Sequence, residues 1–314
     1  MSVGGDPLVS VVMPILDTAT YLPEAIDSIL TQTHDDLELI LVDDGSSDAS
    51  PQIVARYAAA ERRVRAIYLA RDPALRSGAR ARNAAIATAR GTYVAAMDSD
   101  DIALPDRIAR QLAHMQRHRL DVCGTQAQAF GRIDQPFWFA ERHEAIEREL
   151  VFRVGLLHPT VIATTRVMRE HPYDPGAAHD DYEWQTRVAP HLRMGNVPET
   201  LLRHRTHRGQ SNQQHRAAFD SDLRRHRFSH VYRLFPQTPP RDYRVLALIA
   251  EHRALHEPAD LRGAADWLLR LADLPDPRLK ARMARRWDEI CDGAAMTVEG
   301  AWRARIAGLI DPAR

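Results

Sequence analysis

Residues 37–48 read Leu37-Glu38-Leu39-Ile40-Leu41-Val42-Asp43-Asp44-Gly45-Ser46-Ser47-Asp48. A short apolar run ends abruptly in carboxylates and turn residues, the pattern of a buried strand giving way to a loop. The same change recurs where Thr92–Met97 runs into Asp98-Ser99-Asp100-Asp101. Leu8–Met13, just before Pro14, and Val64–Leu69 are two further β-like runs. Between the runs the period changes. Leu22, Ile26 and Ile29 recur at helical spacing within Tyr21–Gln32. Ser50-Pro51 reads as a cap followed by proline and opens a helix to about Ala59. Ala79–Arg90 reads as a helix stopped by Gly91. Pro105 opens another, with Ile108, Leu112 and Met115 on one face. This β-α-β-α-β-α-β order predicts an α/β fold, a mostly parallel sheet flanked by helices. In such sheets ligands bind beyond the carboxyl ends of the strands. Chemistry is therefore expected in the loops Pro14–Ala19, Asp43–Asp48, Ala70–Gly78 and Asp98–Leu104.

The rest of the 314 residues is less regular. Leu120–His207 mixes short apolar runs with His, Asp and aromatic residues, and beyond His215 the pattern is almost wholly helical. Trp267–Leu274 and Met283–Ile290 read as amphipathic helices. The expected organisation is a domain over 1–215, in two parts at 1–118 and 119–215, then a helical region at 216–314. The expected boundary falls near Asn212–Ala218. Hydrophobic residues make up 45% and charged residues 27%, which fits a folded globular chain and excludes disorder. With 42 Lys+Arg against 42 Asp+Glu, the chain has no global basic field, so no nucleic-acid partner is expected. Cys123 and Cys291 stand far apart, in no metal-ligand spacing. Leu8–Leu16 is too short and too broken for a signal peptide, and no run approaches about 18 apolar residues. A cytoplasmic protein is expected. The Arg-rich helical faces after 215 read as solvated cover over a core. Membrane-surface contact and homo-oligomer contact are the other uses they admit.

Asp98, Asp100 and Asp101 place three carboxylates within four residues. Each like-charge pair at contact distance costs about 1 kcal/mol in water and several times that where solvent is partly excluded. Hard divalent cations prefer such oxygen donors together with substrate phosphates. The plainer reading is an acidic helix start favoured by the helix dipole. Asp43-Asp44-Gly45-Ser46 likewise reads either as a turn or as a place to hold a base or ribose. Two acidic loops ending strands of one sheet would face a common crevice. Arg71, Arg76, Arg80 and Arg82, in or just after the third loop, supply cations to offset them.

Taken in order, Val9-Ser10-Val11-Val12-Met13-Pro14, then Leu37–Ser46, Ala81-Arg82-Asn83, Met97-Asp98-Ser99-Asp100-Asp101 and Pro105-Asp106-Arg107 resemble the family 2 glycosyltransferases. The resemblance continues through His158-Pro159, Asp180-Asp181-Tyr182-Glu183-Trp184 and Leu201–His207, over roughly residues 7–212. It implies a GT-A fold, a nucleotide-sugar donor (a UDP-sugar), a divalent metal (Mn²⁺ or Mg²⁺), a glycan or lipid-linked acceptor, and inversion at the anomeric carbon. Carried over by position, Pro14, Ile15, Asp43 and Asp44 line the nucleoside pocket, and Arg76 joins the nucleotide contacts. Asp98 and Ser99 lie near the ribose, Asp100 binds the metal, His207 lies near the metal or diphosphate, and Asp181 is the base. The chain departs from the family where Asp72–Gly78 replaces an Asn-Gly-Gly-like loop, where the acidic pair is Asp-Asp, and where Trp184-Gln185 replaces a Leu-Trp pair.

A metal can stabilise the leaving diphosphate, and one carboxylate can take the acceptor proton. One base suffices for a direct displacement; a double displacement needs a second carboxylate, and Asp180, Asp181 and Glu183 leave that open. Asp181 also fits a helix cap, and His158 a contact with acceptor or phosphate. Two other functions compete. A sugar-phosphate nucleotidyltransferase needs a Gly-rich loop after its first strand, and Pro14–Ala19 holds no glycine. A non-catalytic nucleotide-sugar-binding subunit would have no use for a base at Asp181.

Overall fold

The computed structural model describes residues 6–75, 77–207, 216–251, 255–294, 298 and 300–312. Arg76 and most of the expected domain boundary lie outside them. The chain divides into two compact units, one of residues 1–143 and 154–223, the other of 144–153 and 224–314.

The first unit opens with β1 (Val9–Ile15), α1 (Leu22–Leu30), β2 (Leu37–Asp43), α2 (Ser50–Ala60), β3 (Val64–Tyr68), α3 (Ala79–Thr88) and β4 (Tyr93–Ala96). The alternation read from the sequence is the alternation observed. β5 (Ile102–Ala103), α4 (Arg107–His118), β6 (Val122–Gly131) and β7 (Gln135–Phe137) follow. After α5 (His143–Glu149) come β8 (Ile162–Thr164), α6 (Thr165–Glu170), α7 (Asp180–Val188) and β9 (Met194–Thr206). The sheet order is β3-β2-β1-β4-β8-β6-β9-β5, with β7 paired to β6. β3, β2, β1 and β4 run parallel, β8 is antiparallel to both β4 and β6, and β9 is parallel to β6. β1 and β2 are buried along almost their whole length because helices cover both faces, which is why they read as continuous apolar runs. Val9, Val11, Met13 and Ile15 pack with Leu22, Ile26 and Ile29 of α1. β1 pairs with β2 on one side and β4 on the other, so the strand order reverses there and the loops after β1 and β4 part.

Two local expectations are corrected. Ser50 is the first residue of α2, not its cap, and its hydroxyl accepts from Thr18 N at 3.2 Å. Gly91 is not a left-handed helix stop, because α3 already ends at Thr88. A Cβ at Gly91 would lie 2.6 Å from Ser10 N, so close packing against β1 requires the glycine.

The second unit consists of most of α5, the end of α8 (Arg216–Leu234), α9 (Pro240–Ala250), α10 (Pro258–Leu271), α11 (Pro277–Gly293) and α12 (Gly300–Ile310). Proline opens α9, α10 and α11, and Asp276 caps α11 by accepting from Leu279 N at 2.9 Å. Trp267, Leu268 and Leu271 of α10 and Met283, Trp287 and Ile290 of α11 are buried, as their spacing predicts. Glu149 on α5 is 1% exposed and meets Arg282 of α11 at 2.5 Å and Arg153 at 3.2 Å. Among the described residues no helix is long and apolar enough to cross a membrane.

Candidate functional site

Three of the four predicted loops interlock. After β1, Asp17 adopts a left-handed backbone (φ 53°) and turns its carboxylate toward the loop after β2. Its Oδ1 accepts from Ser47 N at 2.6 Å and Asp48 N at 3.3 Å, while Asp17 N donates to Ser46 Oγ at 3.0 Å. Asp48 Oδ2 returns the link by accepting from Ala19 N at 2.9 Å. Thr18 Oγ1 donates to Ser99 Oγ at 2.9 Å and so joins these loops to the one after β4. Gly45 turns with φ 79°, and a Cβ there would lie 2.6 Å from Arg71 N.

Pro14 is half-buried at the end of β1. The Ile15 side chain belongs to the core, while its carbonyl accepts from Asp44 N at 2.9 Å. Asp44 is ion-paired with Arg80, which also donates to Ala70 O at 2.7 Å. Asp43 is 4% exposed, and its Oδ1 is buried with no hydrogen-bond partner among the described residues. Leaving such an oxygen unmet costs about 1–3 kcal/mol.

In the loop after β4, one oxygen each of Asp98, Asp100 and Asp101 lies within 4.8 Å of the others. They are not equivalent. Asp101 is wholly buried and both its oxygens are engaged, Oδ2 with His204 Nδ1 at 2.9 Å and Oδ1 with Arg205 N at 2.8 Å. It pins β9 beneath the loop. Burial disfavours the charged His204 ring, but the bond to Asp101 together with the charges of Asp101, Asp98 and Asp100 outweighs that and holds its pKa above the ordinary range. Asp100 Oδ2 meets His207 Nε2 at 2.9 Å, and the His207 ring lies 4.8 Å from that of Tyr21. Arg205 donates to Asp100 O at 2.8 Å while its guanidinium lies over the Tyr21 ring. Burial pushes the Asp98 carboxyl up to about 7; Arg82 resists the rise, and Asp101 and Asp100 add to it. Holding all three carboxylates ionised in this loop is therefore costly, because burial and their mutual repulsion both oppose it. Hard oxygen donors at this spacing fit a divalent cation, with Asp98, Asp100 and His207 as the residues able to hold it.

Behind the cluster, Arg107 is fully buried and donates to Pro159 O at 2.5 Å and Ala96 O at 3.1 Å. Burial lowers its pKa to about 10, against the pull of Asp101 and Asp98. The first turn of α7 supplies the other acidic group. Asp180 is buried and accepts from Arg82 at 2.5 Å. Glu183 is held by Arg187 at 2.6 Å. Asp181 is half-buried, and its Oδ1 accepts from Tyr182 N at 2.7 Å. Of the three carboxylates left open as candidates, Asp180 and Glu183 are thus committed to arginines. The N-cap position of α7 belongs to His179, so Asp181 is not the cap. His158 is buried and meets Tyr173 OH at 3.0 Å; burial drives its pKa well below the ordinary range, which makes it a neutral packing group.

Sequence reasoning overlooked Asp17, whose left-handed turn has no signature in an Asp-Thr pair. Arg82 was legible only as one of several cations near the acidic loops, and Asn83 and Arg107 carried no assigned role. A buried arginine declares itself only when its partners, 16 and 98 residues away for Arg82, are seen beside it.

Residues 10–175, just over half of the chain, match the family model described as glycosyl transferase family 2. The O-antigen biosynthesis glycosyltransferase WbnJ of Escherichia coli is 30% identical over 209 residues, covering 64% of this chain and 80% of that one. Other curated glycosyltransferases match over shorter stretches, and the chain spans 33%, 43% and 44% of the length of three of them. Among solved structures, S. aureus TarS in complex with UDP-GlcNAc superposes with a TM-score of 0.62 at 16% identity, over 91% of this chain and 88% of that one. The mannosyltransferase PcManGT from Pyrobaculum calidifontis, in complex with GDP-Man and Mn²⁺, gives 0.54 at 20% identity, over 97% and 85%. These likenesses confirm the GT-A fold. With strand order, acidic loops and family match in agreement, the chain belongs to glycosyltransferase family 2.

Proposed function

We propose that this chain transfers a sugar from a UDP-sugar to an acceptor hydroxyl of a surface polysaccharide or a lipid-linked glycan, with inversion. The observation that carries the reading is the division of labour among the carboxylates. Asp98 and Asp100 bring carboxylate oxygens within 4.8 Å of each other at the point of strand reversal, while Asp181 is the one member of its group not bound by an arginine. UDP is preferred because TarS holds UDP-GlcNAc, and the polysaccharide acceptor follows the WbnJ description.

Asp43, with its unmet buried oxygen, and the Asp44–Arg80 pair receive the base and ribose edge beside Pro14. A divalent cation bound at Asp98, Asp100 and His207 would supply charge stabilisation to the leaving diphosphate. Asp181 orients the acceptor hydroxyl and takes its proton as the oxygen bonds to the anomeric carbon. The bond from that carbon to the β-phosphate oxygen breaks, and UDP departs with the electron pair. Such a base contributes about 10²–10⁴-fold. Arg107 and Asp101 hold the loop in place from behind.

The test is release of free UDP from a panel of UDP-sugars with polysaccharide fragments as acceptors, in Mn²⁺ and in chelator. Acceptor-dependent release is expected, together with thermal stabilisation by UDP that is larger in Mn²⁺. Asp100→Ala removes a cation ligand and should abolish the difference between Mn²⁺ and chelator. Nucleotide binding without acceptor-dependent release from any donor would favour a non-catalytic binding subunit. A metal-dependent shift unchanged in Asp100→Ala would remove the cation site.

A further inference from the structure

Arg82 stands on α3, just after the loop that leads from β3. Gly78 clears space for it, since a Cβ there would lie 2.9 Å from Arg82 Nη1. The guanidinium is 10% exposed and has a carboxylate on either side. Nη1 donates to Asp180 Oδ2 at 2.5 Å, and Nη2 reaches Asp98 Oδ1 at 3.5 Å. The other oxygen of Asp180 accepts from Asp181 N at 3.0 Å, so the placement of Arg82 passes directly to the backbone of residue 181. Asn83, the next residue, grips the backbone of Tyr173 with two hydrogen bonds of 2.8 and 3.0 Å. The Tyr173 ring lies 5.8 Å from the guanidinium carbon. Arg82 Nε has no hydrogen-bond partner among the described residues, so its two terminal nitrogens carry its polar contacts.

We propose that Arg82 is a positioning residue that couples donor binding at the acidic cluster to the placement of Asp181. This rests on the proposed function. Two anions compete for one cation, and in this structure Asp180 has the shorter contact. A divalent cation and diphosphate taken up at Asp98 and Asp100 engage the Asp98 charge. Arg82 is then committed to Asp180, and the first turn of α7 is fixed with its base in place. The planar guanidinium offers a separate nitrogen to each carboxylate in a fixed fork, a geometry that the single ammonium nitrogen of lysine does not reproduce.

The test needs no knowledge of the acceptor. Amide hydrogen exchange is followed on the full chain, with UDP and Mn²⁺ as the probe, for the wild type, Arg82→Lys, Asp180→Asn and the double variant. In the wild type the probe should slow exchange across Asp181–Glu183 by at least about fivefold, the low end of ordinary site coupling. In each variant that slowing should vanish, and the double variant should be no worse than either single one, because all break one link. UDP affinity in Asp180→Asn should change by no more than the coupling factor, as reciprocity demands. Melting curves identify a variant that fails to fold, and if Arg82→Lys fails, Asp180→Asn decides alone. A folded variant that keeps the wild-type slowing overturns the proposal, as does a wild type that binds UDP without slowing. A wild type that does not bind UDP at all overturns the proposed function, and this inference falls with it.

Discussion

In the sheet-based unit, Asp98, Asp100 and Asp101 crowd one loop, and Asp98 is pushed up to about 7 even with Arg82 beside it. In the helical unit, several acids have arginine partners among the described residues: Glu149 with Arg153 and Arg282, Asp260 with Arg244, Glu251 with Arg224, and Asp288 and Asp292 with Arg303. The residue types are the same and the physical task differs. Matched pairs hold helices together and leave nothing for a ligand to do. Carboxylates crowded and buried at the mouth of a sheet are costly to ionise until a cation arrives, and perturbed groups of this kind cluster at functional sites.

The sharpest break between the units should come from Asp181→Asn. Asn nearly preserves the shape of Asp and can still accept from Tyr182 N, so melting temperature and UDP affinity should stay near wild type. It cannot take a proton, so single-turnover transfer should fall by about 10²-fold or more. Matched binding and transfer measurements decide. Near-wild-type transfer would move the base to Asp180 or Glu183 and undo the reading that arginine pairing has retired them.

Glu149→Ala tests the opposite claim, that charge in the helical unit is structural. Removing the buried carboxylate leaves the guanidiniums of Arg282 and Arg153, 20% and 38% exposed, without the anion between them. Losing one member of a buried pair costs about 3 kcal/mol. A shift in melting temperature on the order of 10 °C follows for a unit of this size. Calorimetry should show that loss while UDP affinity is unchanged. A variant that melts like wild type but loses UDP would place Glu149 in the functional machinery.

Acid sensitivity offers a smaller effect. His230 is 1% exposed, and burial lowers its pKa to about 4. Its Nε2 faces Glu147 O at 2.8 Å and its Nδ1 faces Arg233 at 3.2 Å, so the neutral ring donates through Nε2 and accepts through Nδ1. The unfolded ring titrates near 6.5. Between those values the unfolded chain binds a proton that the folded chain refuses. Stability is fully present above about 6.5 and is lost as pH falls toward 4. By pH 5 the loss should reach about 2 kcal/mol. Denaturant unfolding at pH 7 and pH 5 should show it, and His230→Gln should flatten the difference. The buried His158 adds a fall of the same sign that the variant leaves in place. An equal pH dependence in wild type and variant would mean that His230 carries none of it.

The strand-loop alternation and the acidic loops were legible because each is local: an apolar run followed by carboxylates says where a strand ends. The distinctions within those loops were not. Asp98, Asp100 and Asp101 look alike in sequence, yet Asp101 is consumed by His204 and Arg205, 103 and 104 residues away. Asp180 and Asp181 are adjacent, and only Arg82 makes one structural and the other available. Ile15 was read as a pocket residue, but strand pleat turns its side chain into the core, and the pairing of Asp44 with Arg80 on α3 could not be seen from either segment alone. The helix α5 gave no sign that it groups with the C-terminal helices, because the buried partner of Glu149 lies on α11. Register, long-range pairing and burial decide all four.

The smallest effect sharpens the comparison most cheaply. Arg166 and Glu170 form an i,i+4 pair on α6 at 2.9 Å, with side chains 72% and 52% exposed. This contact is of much the same length as those around Glu149, but water surrounds both partners. The order along the helix, cation before anion, is also the less favourable one for the macrodipole. Arg166→Ala should therefore cost less than about 0.5 kcal/mol and shift the melting temperature by roughly 2 °C at most. What loss there is should shrink in high salt, since exposed charges are screened beyond about 10 Å at 0.1 M ionic strength. Paired melts of Arg166→Ala and Glu149→Ala at low and high salt give the answer. If the exposed pair costs as much as the buried one, contact distance and not exclusion of water sets the worth of such pairs, and the contrast between buried and solvated charge loses its physical basis.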